Sequence, residues 1–127
     1  MPIVGHGIDI VETARVKRLV DEHGQHFLDR CFTPAEQAYC ALNRKRHFEH
    51  LSGRFAAKEA VLKVLGTGWR KGIAWTDIEV LNTPAGQPQV TLAGECARIA
   101  SDLGIRRWLI SISHIETHAT ASAIGME

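Results

Sequence analysis

The chain is predicted to fold as α+β, with helices packed on a mostly antiparallel sheet. Three observations lead there. Residues 3–10 are apolar with two glycines and read as a first strand. Segments with helical spacing then follow one another through the first half. The chain closes on two apolar or alternating stretches, 107–115 and 118–124, which read as an antiparallel pair.

The elements follow in order. Residues 11–23 read as a helix, because Val16, Leu19 and Val20 recur at helical spacing while Arg15, Arg18 and Glu22 fall on another face. Thr33-Pro34-Ala35-Glu36 is a helix start: Thr33 can cap, Pro34 suits the first turn and Glu36 can complete a capping box. That helix runs to about Leu42, and the basic break Asn43-Arg44-Lys45-Arg46 follows. The longest helix is predicted over 47–65, with Phe48, Leu51, Phe55, Leu62 and Leu65 as its buried stripe. Gly66-Thr67-Gly68 ends it, Gly66 being a natural residue for a left-handed helix end. Residues 77–81 and 89–92 read as strands joined by the turn-rich 83–88, and 93–103 as a helix stopped at Gly104.

At 127 residues this is expected to be one domain spanning 1–127, long enough to bury a core. A formal net charge of +1 gives none of the basic footprint that non-specific nucleic-acid binding needs. No apolar run approaches the ~20 residues that cross a bilayer, and the N-terminus lacks the pattern of a secretory signal. The three cysteines, Cys31, Cys40 and Cys96, are odd in number and without CxxC spacing. They read as reduced thiols in a cytoplasmic protein.

Two acids carry the chemical argument. Asp9 stands between Ile8 and Ile10, where a charge is costly to bury unless it is paired or holds a metal. An N-cap for the following helix and a metal ligand are equal readings of that position. Glu59 lies four residues before Lys63, which on spacing alone is an ordinary surface pair. Its neighbours Phe55 and Leu62 place it at the border of the core, with Lys58 and Lys63 on either side. Should Asp9 and Glu59 meet, their charges repel unless a cation sits between them. Mg²⁺ suits such a pair, since it takes oxygen ligands and uses one or two carboxylates with substrate phosphates. Arg44, Lys45, Arg46 and Arg54 could cradle further phosphates or form a solvated face. Gly66-Thr67-Gly68 could admit a ligand close to backbone, and does not match a Walker loop. Without cysteines in metal spacing, His114 and His118 make a weak zinc pattern. Adjacent strand residues point to opposite faces, so Ser113 and His114 make a poor nucleophile–base pair. Arg15, Lys17 and Arg18 offer a solvated face or a docking face for an acidic protein.

Gly7-Ile8-Asp9, followed after about fifty residues by Phe55-Ala56-Ala57-Lys58-Glu59-Ala60-Val61-Leu62-Lys63, resembles the two-part signature of the 4′-phosphopantetheinyl transferases. Gly53-Arg54, Gly66-Thr67-Gly68 and Ile112-Ser113-His114 are similar to the bacterial holo-[acyl-carrier-protein] synthase branch. The resemblance implies transfer of 4′-phosphopantetheine from coenzyme A to a serine of apo acyl carrier protein, releasing adenosine 3′,5′-bisphosphate. It implies that Asp9 and Glu59 bind Mg²⁺, that Glu59 and Lys63 are catalytic, and that Lys63 contacts the pyrophosphate. It implies further coenzyme A contacts at Lys45, Arg54, Gly66 and His114. The serine proton would go to Glu59 or to a metal-bound water. The branch is trimeric, with each site at a subunit boundary, and its carrier proteins are acidic, which suits docking on Arg15 and Arg18. Fatty acid biosynthesis is the expected setting. The segment His114-Ile115-Glu116-Thr117-His118 departs from the branch by adding an acid and a histidine near the adenosine end. A coenzyme A-binding module and a Mg²⁺-dependent phosphohydrolase are the competing readings.

Overall fold

The computed structural model describes residues 2–68 and 72–127. The order is β1 (Ile3–Glu12), α1 (Thr13–His23), α2 (Gln25–Cys31), α3 (Pro34–Ala41), α4 (His47–Leu65), a 3₁₀ turn (Trp75–Asp77), β2 (Ile78–Asn82), β3 (Pro88–Leu92), α5 (Gly94–Asp102), β4 (Arg107–His114) and β5 (His118–Met126). The α+β reading holds. The strands form two antiparallel sheets, one of three strands in the order β1-β5-β4 and a separate β2–β3 hairpin.

Local sequence accounts for several boundaries. Thr33 accepts from the Glu36 backbone N–H while the Glu36 side chain accepts from Thr33 N–H, so the capping box forms as read. Gly66 closes α4 in the left-handed conformation at φ 77°, a region that glycine enters without steric cost.

Three differences matter for the site. First, β1 runs on to Glu12 and α1 begins only at Thr13. Asp9 therefore lies inside a strand, opposite Ala121 of β5, and is no helix cap. Two-residue periodicity decides the point: Gly7 and Val11 are buried, Ile8 and Ile10 exposed, and Asp9 shares the inward face. Second, the sequence reading left 24–32 unassigned. It contains α2, which inserts Phe27 and Cys31 into the core after the chain turns at Gly24.

Third, α4 is not a stripe helix. From Leu51 to Leu65 only Glu59 and Lys63 escape burial. It packs against β1, β5 and β4 of the large sheet and meets α1, α3, α5 and β2 elsewhere. A helix enclosed on nearly every side needs apolar or small residues all round, which Ala56, Ala57, Ala60, Val61 and Val64 supply.

Candidate active site

Two positions on the C-terminal half of α4, half-buried Glu59 and exposed Lys63, stand near the one charged residue on the inner face of β1. Lys63 Nζ donates to Asp9 Oδ1 at 3.2 Å and to the Ile8 carbonyl at 2.7 Å. The Asp9 carbonyl in turn accepts from Thr120 Oγ1 of β5 at 2.9 Å, which pins the strand from its other side. Glu59 sits one helical turn before Lys63, half-buried, and makes no hydrogen bond or ion pair among the described residues. Burial pushes its carboxyl above the usual carboxylate range, and the Asp9 charge pushes it further; Lys63 and Arg15 oppose both. Asp9, Glu59, Lys63 and Arg15 thus form one neighbourhood drawn from β1, α4 and α1.

Lys58 does not belong to it. Sequence reading set Lys58 beside Glu59 as a second flanking cation, and the structure overturns that. Its side chain is fully buried, on another face of α4. Its Nζ donates to Glu36 Oε1 at 2.7 Å and to the carbonyls of Trp75 and Ile78. Glu36 Oε2 also accepts from the Val80 backbone N–H at 2.8 Å. This pair ties α3, α4 and β2 together. One signal was available: Lys58 lies three residues after Phe55 and four before Leu62, on the predicted buried stripe itself. Its partner could not be found that way, because Glu36 is 22 residues away.

The remaining candidate cations gather near the N-terminal half of α4. Lys45 and His114 line a cavity of about 460 Å³ with Arg46, Glu49, Ile115 and Glu116; neither Asp9, Glu59 nor Lys63 lines it. His114 Nδ1 lies 2.8 Å from Glu49 Oε1, and its ring meets His50 edge-on at 5.5 Å. Arg54 is buried, donates to Asn82 Oδ1 and lies 4.2 Å over the Tyr39 ring, while its Nε finds no partner. Gly66 is exposed at the end of α4. The extra acid and histidine of the closing turn, Glu116 and His118, line a second cavity of about 470 Å³ with Lys17, Lys45 and Glu49. Arg15 and Arg18 are exposed on α1. One chain therefore brings Asp9, Glu59 and Lys63 together, and keeps Lys45, Arg54 and His114 apart from them.

The family model for the 4′-phosphopantetheinyl transferase superfamily matches residues 5–121, which include both halves of this arrangement. The chain belongs to that superfamily. Within it, the chain is 45% identical over 122 residues to the holo-[acyl-carrier-protein] synthase of Koribacter versatilis, covering 96% of this chain and 97% of that one. It is 47% identical over 121 residues to the synthase of Protochlamydia amoebophila, covering 95% and 96%. The crystal structure of the Neisseria meningitidis synthase matches with a TM-score of 0.88 at 32% identity, over 99% of this chain and 100% of that one. The Helicobacter pylori synthase in complex with coenzyme A matches with a TM-score of 0.84 at 31% identity, over 96% and 100%. A phosphopantetheinyl transferase takes its nucleophile from the protein it modifies. That accords with the acids and cations that Asp9, Glu59, Lys63 and Arg15 bring together.

Proposed function

We propose that this chain transfers the 4′-phosphopantetheine group of coenzyme A to a serine of apo acyl carrier protein. The products are holo acyl carrier protein and adenosine 3′,5′-bisphosphate, in support of fatty acid biosynthesis. The observation that carries the reading is the meeting of Asp9, Glu59 and Lys63 across β1 and α4. The bond formed joins the serine oxygen to the phosphorus bearing the pantetheine arm. The bond broken is the pyrophosphate link to the nucleotide.

The residues present fit a divalent cation. Asp9 and Glu59 are close enough for the Asp9 charge to act on Glu59, whose carboxyl is pushed up first by burial and then by that charge. Two carboxylates are the donor number that Mg²⁺ takes from a protein when substrate phosphates and waters supply the rest. Asp9 and Glu59 would hold Mg²⁺, and when bound it neutralises the pyrophosphate as charge develops. Lys63 contributes a fixed ammonium beside the same oxygens. Of this chain's own groups, Glu59 would receive the serine proton, a reading that its burial-raised proton affinity supports.

Lys45, Arg54, Gly66 and His114 remain the proposed contacts for the rest of coenzyme A. Because Lys45, Arg54 and His114 lie apart from the acids, a neighbouring copy completes each site, in a homotrimer. The outer face of the three-stranded sheet supports this: Ile8, Ile10 and Leu109 are 61%, 67% and 53% exposed on it. A head-to-tail contact through that face would give a closed ring if its rotation closes after three copies. Arg15 and Arg18 receive the acidic carrier protein, with Arg15 near enough to act on Glu59. The protein works in the cytoplasm as one domain over 1–127. Its three cysteines are free and buried, and no helix among the described residues is long and apolar enough to cross a membrane.

Intact mass spectrometry of apo acyl carrier protein with this chain, coenzyme A and Mg²⁺ tests the reading. The expected result is a gain of one phosphopantetheine, lost on adding EDTA. Coenzyme A cleaved with no gain on the carrier would establish a phosphohydrolase instead.

A further inference from the structure

Residues 5, 7, 9 and 11 of β1 turn toward α4. At Gly7 the two backbones come so close that a side chain has no room. A Cβ there would collide with the carbonyl oxygen of Ala60 and stand 3.0 Å from Lys63 Cβ. Both neighbours belong to the turn of α4 that carries Glu59 and Lys63. At Gly5, one step earlier on the same face, a Cβ would meet Val64 Cγ1 at 3.2 Å and Val64 O at 3.4 Å, a contact that a small adjustment relieves. Of the two glycines on this face, Gly7, two residues before Asp9, is the one pressed tighter against the helix. Lys63 bridges at that same point, with Nζ on both the Ile8 carbonyl and Asp9.

We propose that Gly7 is the positioning residue of the carboxylate pair: its missing side chain sets the spacing at which Asp9 and Glu59 share one cation. This rests on the metal reading given above. The obstruction at Gly7 is a helix carbonyl, which cannot rotate aside as a side chain does. Any Cβ must therefore move the strand off the helix. Asp9 lies on the inward face of that strand and moves with it. Mg²⁺ demands near-octahedral geometry at about 2.0–2.1 Å from each oxygen. A displaced strand leaves one of the two acids out of reach.

The test is Mn²⁺ binding, read by the spin-resonance signal of the free ion and separately from turnover. Gly7→Ala is expected to lose affinity by about tenfold or more, the scale seen when the supports of a metal ligand are disturbed. Gly5→Ala is expected to bind as the unaltered chain does. Adding Asp9→Glu to Gly7→Ala should restore most of the loss, because the longer acid spans the wider gap. Asp9→Glu alone should weaken binding, because the same acid overshoots the native spacing. A folded Gly7→Ala with unaltered Mn²⁺ affinity overturns the proposal, as does a double variant no better than the single one. Should Gly7→Ala fail to fold, Asp9→Glu decides, and undiminished affinity there overturns it. Failure of the metal reading looks different: the unaltered chain then shows no Mn²⁺ binding that Asp9→Ala removes.

Discussion

Lys58 and Lys63 stand on one helix and each meets a carboxylate, yet the two pairs are built in opposite ways. Lys58 and Glu36 are both fully enclosed, 2.7 Å apart. Three acceptors surround the ammonium, and the carboxylate also takes backbone N–H groups of Thr33 and Val80. Burial pushes the Lys58 ammonium below the ordinary lysine value, and Glu36 opposes that push. Nothing is left over for a ligand. Lys63 is half exposed, its ion pair with Asp9 is long at 3.2 Å, and Glu59 beside them is unpaired. A saturated buried pair is a fastener. On the function proposed above, the half-satisfied group of acids and cations at the surface of the same helix is where a ligand would complete the charge balance.

The sharpest way to break this contrast is to remove one acid from the open site. Asp9→Ala or Glu59→Ala should lower transfer on the order of a hundred- to a thousandfold, as loss of a preorganised electrostatic contact does, while the melting temperature holds. Near-normal turnover in either variant would sink the metal assignment.

The closed site should answer in the other currency. Lys58→Met leaves Glu36 charged and buried, which costs about 3–5 kcal/mol of stability. Adding Glu36→Gln should return much of that in a denaturant melt. A Lys58→Met protein as stable as the original would show that the pair is not a fastener. Lys63→Met lies between the two: about tenfold in kcat, or roughly 1.4 kcal/mol of barrier, with stability unchanged because the side chain is exposed. Equal losses in kcat and melting temperature would erase the distinction between the two lysines.

Smaller effects sharpen the surroundings. Arg15→Glu should raise the KM for carrier protein and weaken its salt dependence, because rim charges act mainly on encounter. An unchanged KM would remove Arg15 from the docking face. In metal-free protein, Glu59 keeps its proton to a higher pH than it does in the unfolded chain. The native state then binds more protons than the unfolded one between those two values, so stability falls as pH rises through that window. Glu59→Gln should flatten the fall, and an unchanged slope would assign it to another group.

Much of this was legible in the residues. The capping box at Thr33 and Glu36, the bounds of α4 with its glycine stop, the β4–β5 pair and the two-part signature around Asp9 and Glu59 depend on neighbours a few positions apart. Such patterns survive in one dimension. The role of Asp9 was not legible, because the end of a strand read over residues 3–10 suits a helix cap as well as a ligand. Only the continuation of β1 to Glu12 and its pairing with β5, opposite Ala121, set Asp9 on the inward face of the strand. The fate of Lys58 was half legible. Its spacing put it on the buried stripe, but its charge argued for the surface until Glu36 came into place from α3.

The sequence by itself therefore determined the class of fold, the principal helix and the residue types of the site. Tertiary structure alone decided which lysine holds the core and which serves the acids. It also decided that Lys45 and His114 stand apart from Asp9, and that β1 reaches α4 at Gly7. The physical reason is common to all of these. Propensity, capping and periodicity act between near neighbours, whereas the pairing of charges and the spacing of backbones are set where distant segments are forced into contact by burial.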